Sequence, residues 1–201
     1  MTEVFKNKKI LFVLAHLDDE TFGFGGSLQR LAKSNDIYFC IICKGRDEEN
    51  SKERVRSFIE IMRKYNITLN TFFLGEHYDM TLDNVLTKDI TKLIETEINS
   101  IKPNIIITNS ENDIHQDHKK ISQCTKIASR ENKNNFFLTE LYELKIPNCE
   151  PYNTSYYDTR ITLSRAEFKN KIDMCQVYST ENMPHIESFE YLRTIFRRYH
   201  F

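Results

Sequence analysis

The chain has 201 residues, of which 40% are hydrophobic and 28% charged, and its formal net charge is −1. That length is enough to bury a substantial core in one domain, and the composition is ordinary for a globular protein. Near-neutrality excludes a chain-wide electrostatic attraction for nucleic acid.

The first element is legible at once. Lys9–Leu14 reads as a strand, because Ile10 to Leu14 are all apolar. Directly behind it, one histidine and three acids crowd into His16 to Glu20. Phe24–Ser34 reads as a helix with Leu28, Leu31 and Ala32 on one face. Asp36–Cys43 is a second apolar run, rich in β-branched and aromatic residues. Ser51–Lys64 is helical, with Val55, Phe58, Ile59 and Met62 at three- and four-residue steps. Ile67–Leu74 reads as a third strand. Val85–Ser100 reads as a long helix that Pro103 stops soon afterwards. Ile105–Thr108 is a fourth buried strand, and Ile114–Ser129 begins as a polar turn and becomes helical.

Continuously apolar strands, each followed by a helix, predict a Rossmann-like α/β fold: a doubly wound, mostly parallel sheet with helices on both faces. Beyond about Asn132 the regularity weakens. "FFLTELYELKIP" suggests a strand, "SRAEFKNKIDMCQVY" a helix, and "NCEPYNTSYYD" a loop rather than a domain boundary. The reading is therefore one domain over residues 1–201.

The five cysteines, Cys40, Cys43, Cys124, Cys149 and Cys175, are odd in number and scattered, which argues against a disulfide framework. Cys40 and Cys43 have the CxxC form, but inside a strand they are expected to point to opposite faces, as buried thiols rather than a metal pair. The N-terminus lacks the long apolar region of a signal peptide. No stretch approaches the ~18 consecutive apolar residues of a membrane span. A reducing, cytoplasmic setting is expected.

Parallel sheets bind ligands beyond the carboxyl ends of their strands, at the point where strand order reverses. The polar tip His16–Glu20 lies at such an end. A second tip, "NSENDIHQDHKK", follows the fourth strand and carries His115, Asp117 and His118. If strands one and four are neighbours, the two tips converge. His16, Asp19 and His118 would then offer two imidazoles and a carboxylate, a typical catalytic zinc set with one place left for water. Asp18, beside ligand Asp19 but pointing elsewhere, could serve as general base. His115 could hydrogen-bond a developing oxyanion, and Asp117 could fix the tautomer of an imidazole in the site.

Each tip also has a bland reading, as a solvated turn with a helix cap or as a polar helix start. Their joint placement behind buried strands favours a metal site. Gly23, Gly25 and Gly26 are spaced GxGG and come too late after the strand for a dinucleotide fingerprint. They are expected to let backbone pack closely. His77 is read in a loop after the third strand, where it could line the cleft, and His185 and His200 as surface or terminal residues.

The two tips also resemble the paired signatures of the PIG-L/LmbE-like family of zinc-dependent N-deacetylases. "AHLDDE" (Ala15–Glu20) is similar to AHPDDE, and "HQDH" (His115–His118) to HPDH. "ICKGRDEENSKERVRSF", "FFLGEHYDM" and "IKPNIIIT" are similar to further family segments, and "KNKIDMCQVYS" to a lysine-led helix, so the resemblance is strongest over residues 8–130. It implies a Rossmann-like fold, Zn2+ (or Fe2+ or another divalent transition metal) on His16, Asp19 and His118, and Asp18 as general base. It implies His115 as oxyanion stabiliser supported by Asp117, with Arg54 and Asp79 holding sugar hydroxyls. The implied substrate is a small N-acylated amino sugar or sugar conjugate, such as one of N-acetylglucosamine.

The departures are specific. Leu17 and Gln116 replace the prolines of the two signatures. Asn104 replaces an aspartate, Ser57 a frequent glutamate, and Met80 a frequent glycine. The chain also ends at "RRYHF", short of the family's usual C-terminal segment, so part of the pocket is expected to differ or to come from another subunit of a homo-oligomer. Two rivals remain at the level of sequence. One is a nucleotide- or sugar-binding module without hydrolase activity, and the other is a receiver-like signalling domain.

Overall fold

The computed structural model describes residues 5–130, 140–147, 159–178 and 193–199. The loop assigned to "NCEPYNTSYYD", together with Cys149, His185 and His200, lies outside the described residues.

The chain opens with β1 (Lys9–Leu14), a π-helical turn (Glu20–Phe24) and α1 (Gly25–Ala32). Then come β2 (Asp36–Cys43), α2 (Glu48–Lys64), β3 (Leu69–His77), α3 (Thr87–Ile101), β4 (Ile105–Asn109) and α4 (Gln116–Ala128). The remainder adds β5 (Glu140–Leu144), β6 (Thr159–Thr162), α5 (Arg165–Val177) and β7 (Arg193–Tyr199). The strand order is β3-β2-β1-β4-β5-β7-β6. The first five run parallel, while β7 is antiparallel to both β5 and β6. The order reverses between β1 and β4, which pair directly from Ile10 with Ile105 to Val13 with Thr108. This is the expected doubly wound, mostly parallel sheet, extended by an antiparallel pair that the sequence pattern did not announce.

The strands are apolar throughout because both faces are covered. Along β1, Ile10, Phe12 and Leu14 enter one cluster with Leu28, Phe58 and Met174 of α1, α2 and α5. Leu11 and Val13 enter the other, with Ile94 and Ile98 of α3 and Ile121 of α4. Aromatic rings bind the first face together. Phe12 meets Phe24 edge-on at 5.0 Å and stacks on Phe39 at 5.1 Å, and Phe39 meets Phe58 at 5.2 Å. Among the described residues no helix is long and apolar enough to cross a membrane.

Several boundaries move, each for a local reason. The first helix was expected over Phe24–Ser34. It is preceded by a π-helical turn, and the α-helix ends at Ala32. α2 starts at Glu48, before Ser51, because the Asp47 side chain caps it by accepting from the Asn50 N–H at 2.8 Å. β3 extends to His77, so His77 ends a strand rather than sitting in a loop. The β2–β3 register slips between Ile41 and Cys43. Cys43 consequently joins the same apolar cluster as Cys40, where opposite faces were expected. Both thiols are buried and free.

The glycines act as close-packing sites. A Cβ on Gly23 would fall 2.5 Å from Leu144 Cδ2, and one on Gly26 2.4 Å from Leu163 Cδ1. They press the turn and α1 onto β5 and the β6–α5 connection, which takes them out of the role of a phosphate loop.

Candidate metal centre

The two tips meet. The loop after β1 is held by Asn109, the last residue of β4. Its Oδ1 accepts from the Ala15 N–H at 2.8 Å, and its Nδ2 donates to Asp19 Oδ2 at 3.0 Å. Asp19 Oδ2 also accepts from the His16 N–H at 3.1 Å. The loop after β4 ends at His115, the N-cap of α4, whose Nδ1 accepts from the Asp117 N–H at 3.2 Å. Gln116 begins the helix, and its Nε2 donates to the Met80 carbonyl at 3.1 Å.

Three donor groups face a common point. His16 Nδ1 lies 3.1 Å from His118 Nε2. His118 Nε2 lies 3.2 Å from Asp19 Oδ1, and His16 Nδ1 lies 3.8 Å from Asp19 Oδ2. Tetrahedral zinc with bonds of about 2.0–2.1 Å separates neighbouring donors by about 3.3 Å, so the triangle has the right size for such an ion. The outer nitrogens settle the tautomers. His16 Nε2 is 3.1 Å from Asp117 Oδ2, and His118 Nδ1 is 2.7 Å from Asp113 Oδ2. Each imidazole that donates outward to a carboxylate presents its lone pair inward, the usual support of a metal-bound histidine. By its donor chemistry the triangle fits a divalent transition metal.

The electrostatics agree. Burial alone would lower the His16 imidazole, but hydrogen bonds to Asp117 and Asp19 hold it well above the usual histidine value. For His118 burial is likewise outweighed, by Asp19 and Asp113, and its pKa is raised to about 9. Burial would raise Asp19, yet the charge of His118 beside it holds it well below the usual carboxylate range. Positive charge is favoured at this point, whether supplied by protons or by a cation.

Asp18 sits at the edge of the triangle with φ 138°, a backbone conformation that costs a non-glycine residue ~1–3 kcal/mol. Its N–H donates to Glu20 Oε2 at 3.0 Å, and the other oxygen of Glu20 accepts from the Thr21 hydroxyl at 2.8 Å and the Tyr178 hydroxyl at 2.9 Å. Arg54, on the buried face of α2, lies 3.5 Å from Asp18 Oδ2 and 3.3 Å from Asp79 Oδ2. It is only 4% exposed. Its guanidinium thus bridges the two acids.

His115 completes the group, its ring stacked 4.6 Å from that of His118. Burial, with His118 and His16 nearby, pushes its pKa down. Because Nδ1 is the acceptor of a backbone N–H, the neutral ring carries its proton on Nε2. The Asp117 carboxylate meets His16 rather than His115. Its link to His115 is the backbone N–H.

The structure therefore brings His16, Asp18, Asp19, Arg54, Asp79, His115, Asp117 and His118 into one cluster. Sequence reasoning missed Asp113, Asn109 and Tyr178, and gave Glu20, an acid of the first tip, no role of its own. Asp113 lies five positions before His118 and Asn109 ends a strand, so both were readable as polar loop residues. Tyr178 lies in the segment "KNKIDMCQVYS", but nothing in the sequence tied it to the first tip.

Residues 11–129 match the family model described as PIG-L: GlcNAc-PI de-N-acetylase. The chain belongs to the PIG-L family. No curated protein matches it in sequence. Solved structures share the PIG-L fold at low identity. One is the zinc-inhibited form of a teicoplanin deacetylase, at TM-score 0.70 and 14% identity, covering 92% of this chain and 90% of that one. Another is the N,N'-diacetylchitobiose deacetylase from Pyrococcus horikoshii, at TM-score 0.69 and 16% identity, covering 96% and 84%. A third is the 4-carboxy-2-hydroxymuconate hydratase of Pseudomonas putida, at TM-score 0.60 and 14% identity, covering 86% and 83%. The PIG-L match covers β1 through α4, the part of the chain that holds both polar tips.

Proposed function

We propose that this protein is a metal-dependent N-deacetylase that hydrolyses the N-acyl group, in the first place N-acetyl, of an amino sugar or sugar conjugate. The observation that carries this reading is the inward-facing triangle of His16, Asp19 and His118, with a buried aspartate beside it. Membership of the PIG-L family supports it, as do the deacetylases among its structural relatives. His16 Nδ1, His118 Nε2 and the Asp19 carboxylate would hold the ion. Two imidazoles and a carboxylate suit zinc and also ferrous iron. The bound ion supplies Lewis acidity, polarising the amide carbonyl and lowering the pKa of water toward ~7.

The chain's own groups do the rest. Asp18 takes the proton of the attacking water and delivers it to the departing nitrogen, because an amine leaves poorly without it. His115 donates its Nε2 proton as a hydrogen bond to the oxyanion that develops on the carbonyl. Asp117 and Asp113 keep the two ligand imidazoles in the right tautomer. Arg54 orients Asp18, and Asp79 presents a carboxylate to sugar hydroxyls. The buried, free cysteines suit a reducing compartment and hence a cytoplasmic enzyme.

The test begins with metal content in wild type and His118→Ala, purified without chelator or histidine tag. About one transition metal per wild-type chain is expected, and its loss in the variant. Release of free amine from N-acetylated sugars should follow metal content. A wild type that holds no metal after zinc is added back defeats the reading.

A further inference from the structure

Beyond the His16 ring lies a second set of donor atoms that the proposed reaction leaves unused as ligands. His16, Cys43 and Asp79 each offer one such atom, and these lie within 4.8 Å of one another. Asp117 joins them, with Oδ2 3.1 Å from His16 Nε2 and 4.0 Å from Cys43 Sγ. The topology explains the meeting. Cys43 ends β2, Asp79 follows β3, and Asp117 stands in the first turn of α4.

Two buried oxygens decide the matter. Asp79 spends Oδ2 on Arg54, and Asp117 spends Oδ2 on His16 and on the Met80 N–H at 2.7 Å. In both residues Oδ1 has no hydrogen-bond partner. Asp79 Oδ1 lies 4.0 Å from His16 Nε2 and so faces into the cluster, and the two side chains are 8% and 0% exposed. Buried carboxylate oxygens are normally paired, because burying them unpaired is costly. Beside them stands the Cys43 thiol, in contact with Asp117 Oδ2 at 4.0 Å and with His16. A cation among His16, Cys43 and Asp79 would satisfy Asp79 Oδ1 and the sulfur together.

We propose that Cys43, Asp79 and Asp117, against the outer nitrogen of His16, form a second cation site for a soft divalent transition metal such as Zn2+. The sulfur excludes Mg2+ and Ca2+ as preferred occupants, since both select oxygen ligands. Binding breaks the S–H bond of Cys43 and the N–H bond that His16 Nε2 offers to Asp117. Both protons go to solvent, sulfur–metal and nitrogen–metal bonds form, the His16 ring bridges the two ions, and no oxidation state changes. An occupied site engages the Asp79 carboxylate and takes it from the sugar, so excess zinc slows turnover. That last consequence rests on the deacetylase reading, whereas the site itself does not.

Cobalt separates the two positions. Metal-free protein is titrated with Co2+ and followed by absorption. The first equivalent, on nitrogen and oxygen donors, gives d–d bands alone. The second is expected to add a thiolate-to-cobalt charge-transfer band in the near ultraviolet. Cys43→Ser should lose that band and the second equivalent while keeping the first and the wild-type melting temperature. Cys43→Ala serves if serine disturbs the buried position. Saturation at one equivalent without a charge-transfer band overturns the second site. Loss of the first equivalent in His118→Ala is read separately, so the failure of one site is not mistaken for the failure of the other.

Discussion

The two loops that meet between β1 and β4 are built on opposite principles. The loop after β4 sets His115 and His118 by its own local contacts. Its His115 caps α4, Asp113 lies five residues from the His118 it orients, and each of these interactions is local. The loop after β1 is held from outside. Asp18 takes a strained φ of 138°, and its N–H rests on Glu20, which is fixed in turn by Tyr178 from a segment 158 residues away. Asn109 of β4 supplies another remote grip on the same loop. The loop carrying the proposed base is therefore the one that depends on the rest of the fold. Strain at a reactive group persists only where its surroundings over-determine it, and here those surroundings can be named.

Breaking the first loop at its proposed base should have the largest effect. Asp18→Asn keeps the size of the side chain and removes its basicity. It is expected to lower kcat by about 10²–10⁴ while metal content stays at the wild-type level, measured by elemental analysis beside steady-state kinetics. The second loop should fail differently. Asp113→Asn removes the carboxylate that orients His118. It is expected to weaken metal affinity by about 10–100-fold, measured by chelator competition, with kcat largely recovered at saturating metal. If both variants lost metal equally, the division of labour between the loops would be wrong.

Tyr178→Phe probes the remote grip. It removes one hydroxyl that donates to a buried carboxylate, a contact of ~1.5–3 kcal/mol. The expected result is a fall in kcat of about tenfold or more, with KM and metal content unchanged. A uniform loss of stability with normal kcat would make Tyr178 a packing residue only.

These contacts also mark what could be read from the sequence. Lys9–Leu14 and Asp36–Cys43 were legible to the residue, because uninterrupted apolar runs mean strands buried on both faces. The paired tips were legible because histidines and acids are rare immediately behind such strands. The grips were not. Tyr178 and Glu20 are brought together by the packing of α5 against the π-helical turn, and no spacing rule joins residues so far apart. The antiparallel β6–β7 pair escaped for a related reason. A four-residue strand such as Thr159–Thr162 is too short to show a period.

The proposed metal ligands should also tie stability to pH, in opposite directions with and without the ion. In the metal-free protein His118 has a pKa raised to about 9, against ~6.5 for the unfolded chain. A raised pKa stabilises fully below the unfolded value. The contribution fades as pH climbs from about 6.5 to 9. Metal binding requires the deprotonated ring, so its affinity should rise over the same interval. Melting temperatures measured with and without zinc are therefore expected to diverge steadily from pH 6.5 to pH 9. A constant gap would place the titrating histidine elsewhere.

The smallest effect concerns strain away from the cluster. Lys102 ends α3 with φ 54°, a left-handed conformation that glycine adopts without penalty, and Pro103 follows it. Nothing reactive stands there, so Lys102→Gly is expected to stabilise the protein by about 0.5–1 kcal/mol and leave kcat untouched. Met80 has a similar φ of 63°, but its N–H donates to Asp117 beside His16. Met80→Gly relieves the same strain and loosens a loop that orients an imidazole. The two glycine variants thus form a matched pair. Chemical denaturation should show a gain for Lys102→Gly in every case. Metal affinity should fall for Met80→Gly alone. If both gained stability with metal affinity intact, the strain at Met80 would be as incidental as that at Lys102, and the remote support of the β1 loop would stop at Asp18.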